Sequence, residues 1–184
     1  EILNGDIHTA NQKLAGLESR NQAKTFIYAL LYGAGDAKLG SVAARGRAGG
    51  KQLRQSFFDN LPSFKALTGR VQREAKSGFV KALDGRKLTV RSEHAALNTL
   101  LQGAGAIVMK QALIILDKTI ADQNLAAKFV ANVHDEWQIE CNTADAEAVG
   151  KAGVAAIVQA GKDFNLNCPL DGDYKIGDNW SETH

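Results

Sequence analysis

Two cations and two aromatic rings recur at every fourth position in Arg20-Asn-Gln-Ala-Lys24-Thr-Phe-Ile-Tyr28-Ala-Leu-Leu-Tyr32, and the run stops at Gly33. An α-helix turns about 100° per residue, so a four-residue step drifts by only about 40°. Arg20, Lys24 and Tyr28 therefore share one stripe of a helix expected over residues 20–32, with Gly33 and Gly35 as its C-terminal stop. Such a stripe can hold a polyphosphate at its cationic end and stack a flat base at its aromatic end. An ordinary amphipathic helix with snorkelling basic residues and core tyrosines has the same spacing, and spacing alone favours that plainer reading. A second signal far downstream, Val133-His134-Asp135-Glu136, weighs against it.

The rest of the chain reads as helices followed by a small sheet. Residues 7–15 predict a helix carrying His8, and residues 36–50 read as short turns punctuated by Gly40, Gly46, Gly49 and Gly50. Two helices are expected within 50–78, parting near Pro62. Asp84-Gly85, between Phe79–Leu83 and Lys87–Arg91, is a hairpin-turn signal. A long helix over 93–123, strands over 129–133 and 136–141 around His134-Asp135, a helix over 143–161 and a last strand near 170–176 complete the reading. Helices first and an antiparallel sheet later is an α+β pattern. The apolar stretch from Ala104 to Leu116 is broken by Lys110 and Gln111, which favours a buried helix over a membrane span.

Charge is distributed unevenly. Residues 1–91 hold 16 Lys/Arg against 7 Asp/Glu, and residues 92–184 hold 6 against 13. A basic half suits phosphate contact and an acidic half suits a divalent cation, although solvated charged faces produce the same asymmetry. Cys141 and Cys168 fit no metal or redox spacing, so packed thiols in a reducing compartment such as a cytoplasm are expected. Gly33-Ala-Gly35 follows no strand and is not a dinucleotide fingerprint.

The Arg20–Gly33 run resembles motif B, the nucleotide helix of the fingers, in the DNA polymerase I family (family A), and Val133–Glu136 resembles motif C of its palm. Leu83–Arg91 with His94-Ala-Ala-Leu-Asn98-Thr-Leu-Leu-Gln102 resembles the segment between those motifs. The ending Gly177-Asp-Asn-Trp180-Ser-Glu-Thr-His184 is similar to the phage-type carboxyl terminus. The four blocks stand in the family's order and span the chain. The resemblance implies a mostly helical fingers lobe over 8–80 and a palm part over 81–184 with 1–7, carrying the motif C hairpin. No Asp-x-Ser-x-x-Glu pattern, the family's motif A, occurs. The chain is therefore expected to be a C-terminal part whose active site needs an upstream segment carrying motif A.

The resemblance assigns roles residue by residue. Arg20 and Lys24 bind the triphosphate of an incoming deoxynucleotide with help from His8, and Lys24 can protonate the leaving pyrophosphate. Tyr28 sits beside sugar and base, where tyrosine implies weak discrimination against dideoxynucleotides, and Tyr32 guards the templating base by stacking. Asn98 and Gln102, one helical turn apart, donate to the minor-groove acceptors that every correct base pair offers. His134 contacts the primer terminus, while His94 stands where many members have arginine. Asp135, supported by Glu136, is a ligand of two Mg2+ ions spaced about 3.5–4 Å apart. The implied partners are primer-template DNA and deoxynucleoside triphosphates. The clustered Arg45, Arg47, Lys51 and Arg54 either track template phosphates or form an exposed basic face. Two rivals stay open: a single-subunit RNA polymerase fragment, against which the Asn98/Gln102 element and the full His-Asp-Glu triplet count, and a non-catalytic nucleic-acid-binding remnant.

Overall fold

The computed structural model describes residues 5–183. By packing, the chain parts into two compact units, Glu1–Leu101 and Gln102–His184. The first begins with helices α1 (Ile7–Ala15), α2 (Arg20–Leu31), α3 (Asp36–Val42), α4 (Gly46–Asn60) and α5 (Pro62–Ala75). The hairpin β1 (Phe79–Lys81) and β2 (Lys87–Thr89) follows, paired antiparallel with Val80 opposite Leu88. Helix α6 (Ala96–Asp122) leads into the second unit, where β3 (Ala127–Val133) and β4 (Glu136–Cys141) form a second antiparallel hairpin before α7 (Ala146–Asp163) and the single turn α8 (Trp180–Thr183). This is the α+β organisation that the sequence predicts.

Helix α2 forms where the sequence places it because both its ends are capped. Ser19 Oγ accepts from Gln22 N–H at 3.2 Å, while the Gln22 side chain accepts from Glu18 N–H at 3.1 Å, so two otherwise orphaned donors are satisfied. At the other end Gly33 N–H donates to Leu30 and Ala34 N–H to Ala29, the paired bonds of a Schellman stop. Gly33 has φ +78°, and a Cβ there would lie 2.1 Å from the His94 carbonyl oxygen. Only glycine satisfies both conditions. Ala23, Phe26 and Leu30 form the buried face of α2 and join Leu39, Leu53 and Phe57 in the core of the first unit.

Residues 36–50 are two packed helices, not the string of turns expected from their glycines. Gly40 and Gly50 are buried on α3 and α4, and their missing side chains let the two backbones meet. Arg54 of α4 reaches across to α3, its Nε lying 3.0 Å from Asp36 Oδ1 and its Nη2 donating to Ala34 O at 2.6 Å. Arg45 Nη2 donates to Gly16 O at 3.1 Å. Two of the four clustered basic residues are thus engaged within the fold, while Arg47 and Lys51 are exposed.

In the second unit Val108, Ala112, Leu116 and Ile120 recur at four-residue steps along α6 and pack with Ala152, Ala156 and Ala160 of α7. An 18-residue window within Glu93–Asp122 has mean hydropathy 1.5, enough in length and composition to cross a membrane. Its buried residues nonetheless follow the one-sided period of a core helix, with Lys110, Asp117 and Lys118 exposed. The strand expected at 170–176 does not form. Leu170 packs on Gly161, and Tyr174 lies on Gly150 and donates its hydroxyl to Glu147 Oε2 at 2.7 Å, so side-chain contacts with α7 replace ladder hydrogen bonds.

Both cysteines are free thiols. Burial, reinforced by the Asp145 carboxylate, pushes the Cys141 thiol above its ordinary pKa, whereas Cys168 is exposed. Thiolate is the reactive form, so iodoacetamide at neutral pH is expected to alkylate Cys168 well before Cys141. Mass mapping of a time course checks this, and equal rates would contradict it.

Candidate functional site

In the first unit α1 and α2 bring the predicted nucleotide-binding side chains together. Arg20 and Lys24 are exposed, and Tyr28 and Tyr32 are 44% and 55% exposed, so these are not the core tyrosines that the plainer reading requires. The Tyr28 and Tyr32 rings stack with centroids 6.4 Å apart and planes 20° from parallel. His8, half-buried on α1, leans its ring on Tyr28 at 6.2 Å. The series His8, Tyr28, Tyr32 is continuous, and Arg20 and Lys24 extend it toward the N-terminus of α2. His8 Nδ1 is buried and makes no hydrogen bond among the described residues.

Asp6 was not apparent from the sequence as a member of this group. It is the N-cap of α1, its Oδ1 accepting from His8 N–H at 3.0 Å, and its Oδ2 accepts from Thr9 Oγ1–H at 2.8 Å and from Arg20 Nε–H at 2.5 Å. The run Asp6-Ile-His-Thr9 ahead of an apolar period carries the N-cap signal that could have found it.

Helix α6 carries the predicted amide pair, Asn98 half-buried and Gln102 exposed. His94 lies in the 3-10 turn Glu93–Ala95 before it and is exposed, with its carbonyl against Gly33.

In the second unit a two-residue connection between β3 and β4 displays His134 and Asp135. Val133 pairs with Glu136 and Ala131 with Gln138, and a bulge between Phe129 and Ala131 interrupts the ladder behind the turn. Bulges commonly twist a hairpin where a side chain must be re-aimed. His134 has φ +54°, a left-handed conformation that costs a non-glycine residue about 1–3 kcal/mol. The turn keeps histidine where glycine or asparagine would be easier. Asp135 is exposed beside it.

Along β4 the side chains alternate. Trp137 and Ile139 face the core of the second unit, leaving Glu136 and Gln138 on the opposite side. Gln138 Nε2–H donates to Glu136 Oε1 at 2.5 Å, and Gln138 Oε1 accepts from Thr183 Oγ1–H at 3.0 Å. A carboxylate only accepts, so Glu136 fixes which way the amide points, and the amide oxygen is left to accept from the Thr183 hydroxyl, which also has Trp180 O within reach at 3.2 Å. Glu182 steadies the segment carrying Thr183 by accepting from Asp178 N–H at 2.8 Å and Asn179 Nδ2–H at 2.7 Å. Sequence reading missed Gln138 and Thr183. Period-two spacing from Glu136 points to the first, and no local pattern points to the second.

Among the described residues no three His, Cys, Asp or Glu side chains cluster as a complete metal site. Adjacent Asp135 and Glu136 do offer hard oxygen donors. Magnesium retains several waters and takes one or two carboxylates, so this donor set fits part of such a site.

The chain matches the model of DNA polymerase family A over residues 4–182. It is 44% identical over 190 residues to the DNA-directed DNA polymerase of Escherichia phage Phieco32, covering 100% of this chain and 31% of that protein. It is 41% identical over 206 residues to the corresponding polymerase of Enterobacteria phage T3, covering 100% of this chain and 29% of that protein. The chain thus spans less than a third of the length of these relatives. Among solved structures, the POL domain of Pol1 from M. smegmatis, in complex with DNA primer-template and dNTP, matches with TM-score 0.79 and 23% identity over 90% of this chain and 32% of that one. At that identity the likeness shows the fold.

Proposed function

The chain belongs to DNA polymerase family A, and we propose that it supplies the nucleotide-binding helix and one metal-binding carboxylate of a template-dependent DNA polymerase. The observation carrying this reading is the exposed face of α2. Arg20, Lys24, Tyr28 and Tyr32 are presented to solvent in register, while Ala23, Phe26 and Leu30 anchor the helix from behind.

In this reading the fingers comprise residues 8–80 and the palm part residues 81–184 with 1–7. Arg20 offers a planar fork to the triphosphate, and Lys24 a point charge that can give its proton to the departing pyrophosphate. His8 adds a ring nitrogen from α1. Tyr28 lies beside sugar and base, and Tyr32 stacks at the templating position. Asn98 and Gln102 test the nascent pair through its minor-groove acceptors. His134 meets the primer terminus. Asp135 holds divalent metal, with Glu136 held in support by Gln138. Bound Mg2+ supplies charge neutralisation and activation of the primer 3′-hydroxyl. The chain's own contribution is to position the reactants, the larger part of catalysis in phosphoryl transfer.

Primer extension tests the proposal. Purified alone, the chain is expected to extend a primer negligibly, because the motif A aspartate is not among its residues. Mixed with an upstream segment bearing Asp-x-Ser-x-x-Glu, it is expected to add deoxynucleotides to a primer-template. Robust extension by the chain alone would overturn the need for a second carboxylate source. Folded pieces that bind duplex but never extend it would support a binding remnant instead.

A further inference from the structure

We propose that Asp6 is a positioning residue for triphosphate binding, holding the Arg20 guanidinium by its Nε so that both terminal nitrogens face the phosphates. The inference rests on the reading of Arg20 as a triphosphate ligand and adds a residue to it.

Arginine has five N–H donors in a rigid fork. Asp6 Oδ2 takes the one on Nε at 2.5 Å. Among the described residues no partner is recorded for Arg20 Nη1 or Nη2. The guanidinium is thus fixed at its root and open at its tip, the edge that pairs with two phosphate oxygens.

Asp6 is itself firmly held. Its two oxygens accept from His8 N–H, Thr9 Oγ1–H and Arg20 Nε–H, so neither rotates without breaking a bond. The Arg20 hydrogen bond, then that of Thr9, holds the carboxyl well below the usual carboxylate range, so it stays ionised at any working pH. The same carboxylate caps the helix that carries His8. One group thereby sets the placement of two phosphate-binding side chains on different helices.

Stability alone is a weak reason for this pair. The Arg20 and Asp6 side chains are 52% and 41% exposed, and ion pairs that open to water add little to folding. A negative charge beside an anion site should also repel the ligand. Pre-orientation answers both points, since a side chain already held in its bound geometry loses less freedom on binding.

The test is equilibrium binding of inorganic tripolyphosphate to the 184-residue chain, in wild type, Asp6→Asn, Arg20→Ala and the double variant. Asparagine caps a helix as well as aspartate does, so Asp6→Asn keeps α1. Its melting temperature should match wild type. Asp6→Asn is expected to weaken binding about tenfold, by analogy with the loss when a partner that orients a metal-ligating side chain is removed. The double variant should bind no more weakly than Arg20→Ala. Removing a negative charge would by simple electrostatics tighten anion binding, so the expected direction opposes the trivial one. Unchanged or tighter binding in Asp6→Asn, with Arg20→Ala still weakened, would overturn the role of Asp6 alone. An equal loss from Asp6→Asn in both Arg20 backgrounds would do the same. Unaltered binding in Arg20→Ala would remove the triphosphate reading of Arg20 and the inference with it.

Discussion

Asp135→Ala is expected to cut primer extension by about 10³-fold or more in the polymerase that we propose this chain completes. A metal ion contributes several kcal/mol of transition-state charge stabilisation, and about 1.4 kcal/mol is a decade in rate. The loss should fall on kcat. The triphosphate contacts proposed for Arg20 and Lys24 lie on α2, so KM for deoxynucleotide should change little. Folding should also be unaffected, because Asp135 is exposed in a turn and makes no recorded hydrogen bond or ion pair among the described residues. Glu136→Gln should cost less, because the amide keeps one acceptor for Gln138 Nε2–H and the Thr183–Gln138 link survives. Single-turnover extension with a saturating nucleotide measures the effect directly. A loss of less than tenfold for Asp135→Ala would remove this side chain from the proposed metal site.

The parts of the fold legible in the sequence are those whose signals are local. Ser19, Gln22 and Gly33 mark both ends of α2 through caps that involve only neighbouring residues. Asp84-Gly85 turns the first hairpin, with Gly85 at φ +86° as such a turn requires. The four-residue stripe on α2 was legible for the same reason: helical periodicity is written in the spacing. Whether Tyr28 and Tyr32 faced solvent or core was not, because exposure depends on what packs behind Phe26. Asp6 was overlooked because its partner Arg20 is fourteen residues away on another helix. Thr183 meets Gln138 forty-five residues back, and nothing near either residue announces the contact. Residues 170–176 read as a strand because Tyr174 and Ile176 alternate with polar residues. The lateral contacts that decide the matter come from Gly150 and Gly161 on α7, which the alternation does not encode.

The glycines of 36–50 were the most misleading residues, and they carry the other large expected effect. Gly50→Ala should destabilise the first unit by about 2 kcal/mol, the top of the roughly 1–3 kcal/mol overpacking range less the roughly 1 kcal/mol that alanine returns to a helix. A Cβ at Gly50 would lie 1.9 Å from Asp36 O and 2.5 Å from Gly40 N. One at Gly40 would lie 1.7 Å from Gly46 O. These obstacles are backbone atoms, so no rotamer change relieves them and α3 and α4 must separate. Leu39 and Leu53 then lose their burial, and with them the support beneath Phe26 and the face of α2 that holds the proposed nucleotide site. Gly105→Ala supplies the contrast. It also lies within a helix, but nothing stands within 4 Å of its would-be Cβ. There the same substitution should stabilise by about 0.4–1 kcal/mol through helix propensity and the unfolded chain. Urea denaturation of both variants followed by circular dichroism resolves the opposite signs. A neutral Gly50→Ala would mean that α3 and α4 cross with slack, and the glycines would then need another explanation than backbone contact.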